Sequence, residues 1–437
     1  MKDSGLTEFQ SFTGQLKAGD GITPVIFSTR IGNSGEVEFQ FGTIALTQET
    51  LFVRKYWNHE SPALNCFSLS GKSANGIEFT TKTLQFNSMG SESNKEGTCM
   101  SLTGGCSQAE FRRKLLEPVP KPIIRMHVKG FQNLLPLNSK CNLGTVSMEG
   151  NHSIVDPDTI TGNITVCSDN EPADLSAWRT EAYELLEYVR QVMSFASAAI
   201  LQVPITEYFA GDDSEVVAFS RTRQAPAPMR TFHPFNQQPV FNTAVSSFFN
   251  PRHKVKNLFF AIEWFAEDCT HNEVRLVNAM TALENLVASN LDGNDSMIRP
   301  PKEFKKIKRV LRQVITKCIN EWSGEDEDKV VEIVADLDNK LLDLNRRSIV
   351  QKVKVLAKRW SVPLDDIGDQ QIKDAKTARD YIVHRGHYYE EGKEKTALWE
   401  HVTVMREIVI RFLLSVIGYK GSYISFLGGY HEAQFPP

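Results

Sequence analysis

The spacing of apolar residues changes once along this chain and divides it into two parts. Over residues 21–167, short runs such as Val37, Phe39 and Phe41 alternate with polar residues between turn clusters, which is typical of strands with one buried face. From about Val255 onward, apolar residues recur every three or four positions, which is typical of amphipathic helices. The sequence therefore predicts an α+β multidomain protein, with a β-rich N-terminal domain followed by an all-α helical bundle.

The same patterns predict three segments. Residues 1–170 form a β-rich sensor or regulatory domain, residues 171–254 form a long helix and a Pro-rich connecting segment, and residues 255–437 form a bundle of five or six helices with a C-terminal tail. Two stretches are expected to lack regular structure. The Gly- and Ser-rich stretch 87–107 is predicted to be an exposed loop, and the prolines within 211–239 predict a long surface excursion.

Composition limits the class of protein and its partners. The 437 residues are 41% hydrophobic and 23% charged, as in globular proteins. Because the formal net charge is −4, binding to nucleic acid would need a local basic patch. The seven cysteines are scattered without a CxxC pair, and neither an apolar leader nor a membrane-spanning stretch is found. We therefore expect a cytoplasmic protein that makes no contact with a membrane.

A helix with two histidines on its polar face is the clearest sign of chemistry. Within the stretch 369–391, Asp380, His384 and His387 follow one another at i, i+4 and i+7, with Arg379 beside them. Glutamate and lysine would be expected on an ordinary solvated helix. Two alternatives remain open: a solvated face with an incidental arginine and histidine, and a zinc site built from the carboxylate and the two imidazoles.

The segment Arg379–His384, with the sequence RDYIVH, resembles the R-x4-6-H motif of HEPN domains, including the polar residue that often follows the arginine. Its predicted position, near the start of the penultimate helix of a C-terminal bundle, is also similar to theirs. The resemblance extends over residues 255–419, and a β-rich region before the bundle is similar to the ApeA-like branch, which is associated with phage defence. It implies a metal-independent endoribonuclease that acts as a homodimer, in abortive infection or as a toxin-like effector.

These residue types suit RNA cleavage by attack of the 2′-hydroxyl on the adjacent phosphate. Histidine has a reference pKa of about 6.5, so His384 can exchange protons near neutral pH. Arg379 keeps its charge and offers a planar fork to phosphate oxygens. Asp380, one turn before His384, is expected to accept a hydrogen bond from its ring. One histidine cannot be base and acid in the same step, and the resemblance implies that a second copy supplies the other. No metal and no other cofactor is expected.

A basic helix is the predicted RNA-binding element. The stretch 302–317 contains seven Lys and Arg residues against the single acidic Glu303, and its other face is apolar. The alternative is a solvated face balanced by acidic residues just downstream. On the helix before it, Glu284 is expected to pair with Arg379 or Arg275. The candidates for contact with RNA phosphates are Lys305, Lys306, Arg309 and Arg312.

We therefore interpret the chain as a dimeric endoribonuclease whose N-terminal domain responds to a phage-derived or small-molecule trigger. The main alternative is a non-catalytic HEPN-like module that dimerises and binds nucleic acid or protein. A nucleotide target of the toxin type is a third possibility. Cleavage of labelled RNA by the purified protein distinguishes the first interpretation from the second.

Overall fold

The protein folds into two compact units. The N-terminal unit comprises Met1–Asn250 with Ala266–Asp268, and the C-terminal unit comprises Pro251–Phe265 with Cys269–Pro437. The first is β-rich and the second is helical, so the predicted α+β class is confirmed. The structure, a computed structural model, describes residues 6–45, 50–57, 66–94, 97–151, 158–220, 229–267, 269–322, 327–389 and 396–436.

Six strands of the N-terminal unit close into a barrel. In chain order the first seven strands are β1 (Gln10–Ala18), β2 (Gly21–Ile31), β3 (Val37–Phe41), β4 (Ile44–Ala45), β5 (Phe67–Ser73), β6 (Glu78–Asn94) and β7 (Gly97–Cys106). The ring runs β1–β2–β3–β7–β6–β5 and returns to β1 through antiparallel pairs. The short β4 pairs with β7, and helix α1 (Leu51–Trp57) lies beside β1.

Alternating side chains of these strands fill the barrel interior with aromatic rings. The rings of Phe12 and Phe27 stack with centroids 5.2 Å apart, and Phe79 meets Phe27 and Phe39 edge-on. All four rings are at most 3% exposed. Such pairs add about 0.5–1.5 kcal/mol each beyond the burial of apolar area. The period-two pattern of the sequence thus produces the barrel core.

A second sheet region extends from the barrel through one long strand. Its strands are β8 (Gln108–Lys129), β9 (Leu137–Cys141), β10 (Gly144–Gly150), β11 (Gly162–Cys167) and β12 (Gln202–Phe219). Strand β8 pairs with β6 near its start and with β11 near its end, while β12 follows it along most of its length. Helix α2 (Leu175–Ser197) packs on this sheet, and helix α3 (Gln238–Phe249) packs on α2 and β9.

Helix α2 begins and packs as its sequence indicates. The Asp174 carboxylate accepts hydrogen bonds from the backbone N–H groups of Ser176 and Ala177, which caps the helix start. Leu185, Val189 and Val192 are fully buried, so the predicted apolar face is confirmed.

Two stretches predicted to lack strands contain them. The predicted loop 87–107 is wrong, because it forms most of the hairpin β6–β7 that closes the barrel. The predicted excursion 211–239 is wrong up to Phe219, because those residues continue β12 and pair with β8. Both stretches are polar and turn-rich, so the alternation of apolar residues does not reveal them as strands. The hairpin is stabilised by its own pairing and by β3, and residues 211–219 by the distant β8. The Pro-rich residues 221–228 lie outside the described part.

The C-terminal unit is built around one buried helix. Helix α10 is buried on every side from His401 to Ile417 and contacts α5, α8 and α9, while Gly418 adopts the left-handed conformation at its end. The described residues form seven α-helices here, where five or six were predicted, and a C-terminal hairpin. These elements are α4 (Leu258–Ala266), α5 (Asn272–Asn290), α6 (Pro301–Trp322), α7 (Glu327–Leu341), α8 (Ile349–Trp360), α9 (Asp369–Arg385), α10 (Leu398–Ile417), β13 (Gly421–Ser425) and β14 (His431–Phe435).

A buried polar network fixes the hairpin to α10. Glu407 is 1% exposed, and its carboxylate accepts hydrogen bonds from Nε of Arg411 at 2.8 Å, from the hydroxyl of Ser425 at 2.7 Å and from the hydroxyl of Tyr423. Arg411 also donates to the carboxylate of Asp366 through both terminal nitrogens. Burial raises the pKa of Tyr423, and the Glu407 charge raises it further. The buried charge is therefore balanced by three donors, one from α10 and two from β13.

Two further features concern possible membrane helices and the cysteines. No helix among the described residues is both long enough and apolar enough to cross a membrane. All seven cysteines are free thiols, and Cys106 is buried, which raises the pKa of its thiol to about 11.

Candidate active site

Helix α9 carries the predicted catalytic residues. It is the penultimate helix, as predicted, but Arg379–His384 lies in about its last two turns and not near its start. The helix ends at Arg385 because Gly386 adopts a φ of +79° and donates its N–H to the carbonyl of Ile382. Contacts with α5, α8 and α10 cover the opposite face, which consists of Ile372, Ala375 and Ala378.

The guanidinium of Arg379 lies between two carboxylates. Its Nη2 donates a hydrogen bond to Oε2 of Glu284 on α5 at 2.8 Å, and its Nη1 donates to Oδ1 of Asp380 at 3.1 Å. The Arg379 side chain is 22% exposed, and its Nε is buried without a hydrogen-bond partner in the described part of the chain. Of the two expected partners for Glu284, the structure selects Arg379, while Arg275 donates to Asn272. The guanidinium is therefore fixed in orientation.

The carboxylate of Asp380 serves Arg379 and not the histidine. Its second oxygen accepts a hydrogen bond from the ammonium of Lys376, one turn earlier on α9. Burial of Asp380 raises its pKa, but the hydrogen bonds and charges of Lys376 and Arg379 outweigh burial and hold the pKa below its ordinary value. The predicted hydrogen bond between Asp380 and His384 is not formed, because two cations already occupy the carboxylate with stronger, charge-assisted bonds.

Both histidines at the end of α9 are exposed. The ring of His384 makes no hydrogen bond to any described residue and is open to solvent. His387 donates from Nδ1 to the backbone carbonyl of Tyr389 at 3.0 Å. In the described ranges, no three His, Cys, Asp or Glu side chains come together as a metal-binding group, so the geometry gives no support to the zinc alternative for Asp380, His384 and His387.

Two buried residues beside the motif were missed by the sequence analysis. The hydroxyl of Tyr388 donates to the carbonyl of Thr396 at 2.9 Å, so Nε2–H of His401 donates to the Tyr388 oxygen at 3.1 Å. Burial lowers the pKa of His401, although two neighbouring carboxylates oppose the shift. The sequence position of His401 could have revealed its burial, since it falls on the apolar stripe of α10 between Leu398 and Met405. This pair ties the chain after α9 to α10.

The predicted RNA-binding residues lie on the exposed side of α6. Lys305, Arg309 and Arg312 follow one another at i, i+4 and i+7 and form one stripe, with Lys306 beside it. Lys308 binds Asp338 of α7 at 3.1 Å, whereas Lys305, Lys306 and Arg309 form no ion pair within the described ranges. These three cations are therefore available to a polyanion.

The structure thus brings Arg379, Asp380, Glu284 and Lys376 into one cluster, and it leaves His384 and the α6 cations outside that cluster's hydrogen bonds. The fold and site define an α+β protein with a closed six-stranded barrel and a helical unit that carries an anchored arginine and an exposed histidine on one helix. No family model, no curated protein and no solved structure matches this chain.

Proposed function

We propose that the C-terminal unit is a metal-independent endoribonuclease of the HEPN type, in which Arg379 binds phosphate and His384 transfers protons. The anchoring of Arg379 carries the proposal. Glu284 and Asp380 hold its guanidinium from two sides, while His384, five residues later on the same helix, is exposed. A pre-oriented cation and an accessible proton carrier on the same helix support phosphodiester chemistry, because little reorganisation is needed when charge develops in the transition state.

In the proposed reaction the substrate supplies its own nucleophile. His384 accepts the proton of the 2′-hydroxyl, whose oxygen forms a bond to the adjacent phosphorus. Arg379 balances the added negative charge of the phosphorane. The bond from phosphorus to the 5′-oxygen then breaks, and that oxygen takes a proton from a second histidine. The products are a 2′,3′-cyclic phosphate and a 5′-hydroxyl.

The role proposed for Asp380 follows its observed contacts. Its ionised carboxylate accepts from Arg379 and Lys376, so it orients the phosphate-binding arginine. A role in fixing the tautomer of His384 has no support in these contacts. Asp380 and Glu284 are thus proposed as positioning residues, and Arg379 and His384 as the groups that touch RNA.

A homodimer completes the proposed site, since each copy has one His384 and the reaction needs a base and an acid. The active species is expected to be a dimer or a larger even-numbered assembly. Sedimentation over a range of protein concentrations, compared with cleavage activity at the same concentrations, tests this. A fully active monomer would refute the composite site.

In this proposal the exposed cations of α6 hold the RNA, and the barrel-containing unit receives a trigger. The setting is defence against phage by abortive infection, or a toxin-like role, in the cytoplasm. The residues that resemble the HEPN motif support this setting, together with the order of a β-rich region before a helical one.

The test compares cleavage of labelled RNA by the wild-type protein, His384→Ala and the matched control His387→Ala. Loss of proton transfer should lower the rate by about 10²–10⁴-fold in His384→Ala, while His387→Ala stays close to wild type. Both histidines are exposed, so the free energy of unfolding of each variant should lie within about 0.5 kcal/mol of the wild-type value. Equal cleavage by all three proteins would remove His384 from the site.

A non-catalytic RNA-binding module is the second candidate, and the free cations on α6 favour it. In that case the wild-type protein would retain labelled RNA in a binding assay and leave it uncut. The same preparation therefore distinguishes the two functions.

A further inference from the structure

A cavity of about 950 Å³ opens in the N-terminal unit beside the middle of β8. Its volume falls within the range of about 300–1,000 Å³ that is usual for sites of small organic ligands. Apolar side chains form much of the wall, among them Ile77, Leu115, Ile123 and Phe209. None of the residues singled out by the sequence analysis lies there.

The cavity forms where prolines in β8 interrupt its ladder with β12. Proline has no N–H to donate, so the regular ladder cannot continue through it. Strand β12 places the single residue Ala210 opposite Pro120–Pro122, and the single residue Asp212 opposite Leu115–Pro118. Gly211, between them on β12, has a φ of +56°, so β12 also departs from regular strand geometry at this point. The surplus residues of β8 bend away from the sheet and form part of the cavity wall.

The guanidinium of Arg125, on this wall, has N–H donors that bond to no described residue. Its Nη1 donates to Oε2 of Glu207 at 3.3 Å, and its remaining N–H groups bond to no described residue. Glu207 is 1% exposed and also accepts a hydrogen bond from Nε2 of His127 at 2.9 Å. Burial raises the pKa of Glu207, but His127 and Arg125 outweigh burial and the pKa lies below its ordinary value. The carboxylate of Glu207 therefore already has two donors, and the other N–H groups of Arg125 can bind a second anion.

The charged residues that line the cavity are mostly basic. The wall contains Arg113, Lys114 and Arg125 against the single acidic residue Glu117. Asp212 and Asp213 bind Lys114 at the surface, with oxygens 3.1 and 2.8 Å from its Nζ. Because these partners are more than half exposed, the pairs are weak and a ligand can compete with them. Among the lining residues themselves, cations outnumber carboxylates, and most of the other lining residues are apolar.

We propose that this cavity binds a small organic anion, a carboxylate or phosphate carried on an apolar or aromatic body. The anionic group pairs with the free side of the Arg125 fork, and Ile77, Ile123 and Phe209 cover the body. The inference goes beyond RNA cleavage and does not depend on it, since it concerns the other unit and is measured by binding.

Calorimetric titration of the full-length protein tests the proposal with three probes: phenyl phosphate, 3-phenylpropionate and the neutral 3-phenylpropan-1-ol. At least one anion should bind, and the identity of that anion assigns the group as phosphate or carboxylate. The neutral alcohol should bind at least about tenfold more weakly, because it lacks the charge-assisted hydrogen bonds. Arg125→Gln should weaken the anion by a similar factor. The matched control is Arg30→Gln, since Arg30 also pairs with a glutamate, Glu38, at 2.9 Å and does not line the cavity.

A second variant keeps the charge and reduces the space. Leu115→Trp adds bulk to the cavity wall and should weaken anion binding while Arg125 stays in place, with an unchanged circular dichroism spectrum as the check on folding. This variant keeps the test decisive if Arg125→Gln fails to fold. Failure of both anions to bind the wild type would overturn the proposal. It would also be overturned if the alcohol bound as tightly as the anions, or if Leu115→Trp bound them normally.

Discussion

Nη2 of Arg379 donates a hydrogen bond to Oε2 of Glu284 across 2.8 Å, although the two residues are 95 positions apart in the sequence. The contact joins α9 to α5, two helices that pack against each other and against α10. An arginine held by a single flexible side chain would sample many orientations. Here Glu284 and Asp380 restrict the guanidinium from two sides, which defines where an RNA phosphate would bind.

Glu284→Ala should therefore impair RNA cleavage without removing a reacting group. We expect the rate to fall about 10–100-fold, because a misplaced Arg379 stabilises the transition state less well. The loss of stability should stay below about 1 kcal/mol, since the Glu284 side chain is 39% exposed. Single-turnover rates across a pH series give the measurement, and the shape of the profile should not change.

Glu284→Gln keeps a carbonyl oxygen that can accept from Arg379, so it should recover part of the rate. Glu273→Ala, on the same helix, is the control and should cleave normally. A pH profile altered by Glu284→Ala would show that Glu284 itself transfers protons, contrary to its role as a positioning residue.

Cleavage should not depend on a metal ion and should require the 2′-hydroxyl. If Arg379 and His384 perform the reaction, activity survives EDTA, and DNA and 2′-O-methylated RNA remain uncut. The expected products are a 2′,3′-cyclic phosphate, or its opened form, and a 5′-hydroxyl, identified by mass spectrometry. A 5′-phosphate product, or activity lost with chelator and restored by metal, would contradict this chemistry.

Charge reversal of the α6 stripe should weaken RNA binding and flatten its dependence on salt. Each phosphate contact in single-stranded RNA contributes about 0.7 to the slope of log K against log salt, so four reversed cations should reduce the slope by about 3. The variant changes Lys305, Lys306, Arg309 and Arg312 to glutamate. The control reverses four exposed lysines of the N-terminal unit, Lys17, Lys82, Lys121 and Lys140. Equal slopes for the two variants would identify α6 as an ordinary solvated helix.

Glu407→Ala should destabilise the helical unit by about 3–5 kcal/mol, because it strips a buried network of the acceptor shared by Arg411, Tyr423 and Ser425. Tyr423→Phe removes one hydroxyl and should cost only about 1 kcal/mol. Urea unfolding followed by circular dichroism at the helical band measures both. A loss below about 1 kcal/mol for Glu407→Ala would mean that the hairpin is not fixed by this network.

Local periodicity was enough to predict much of the fold. A side chain's direction repeats with the backbone period, so the stripe of Leu185, Val189 and Val192 defined the buried face of α2 without knowledge of its neighbours. The hairpin over residues 87–107 could not be predicted in this way. Its residues are polar and glycine-rich, and only closure of the barrel supplies β3 as a partner for β7.

For the candidate site, the sequence alone determined that Arg379, Asp380 and His384 lie within about two turns of one helix, because that spacing is a local property of the chain. Tertiary structure decided the partners. Glu284 reaches Arg379 only because α5 packs on α9, and Asp380 binds Arg379 and Lys376 while His384 stays in solvent. Which donor a carboxylate takes depends on charge, distance and burial in the folded chain, and none of these is fixed by spacing along a helix.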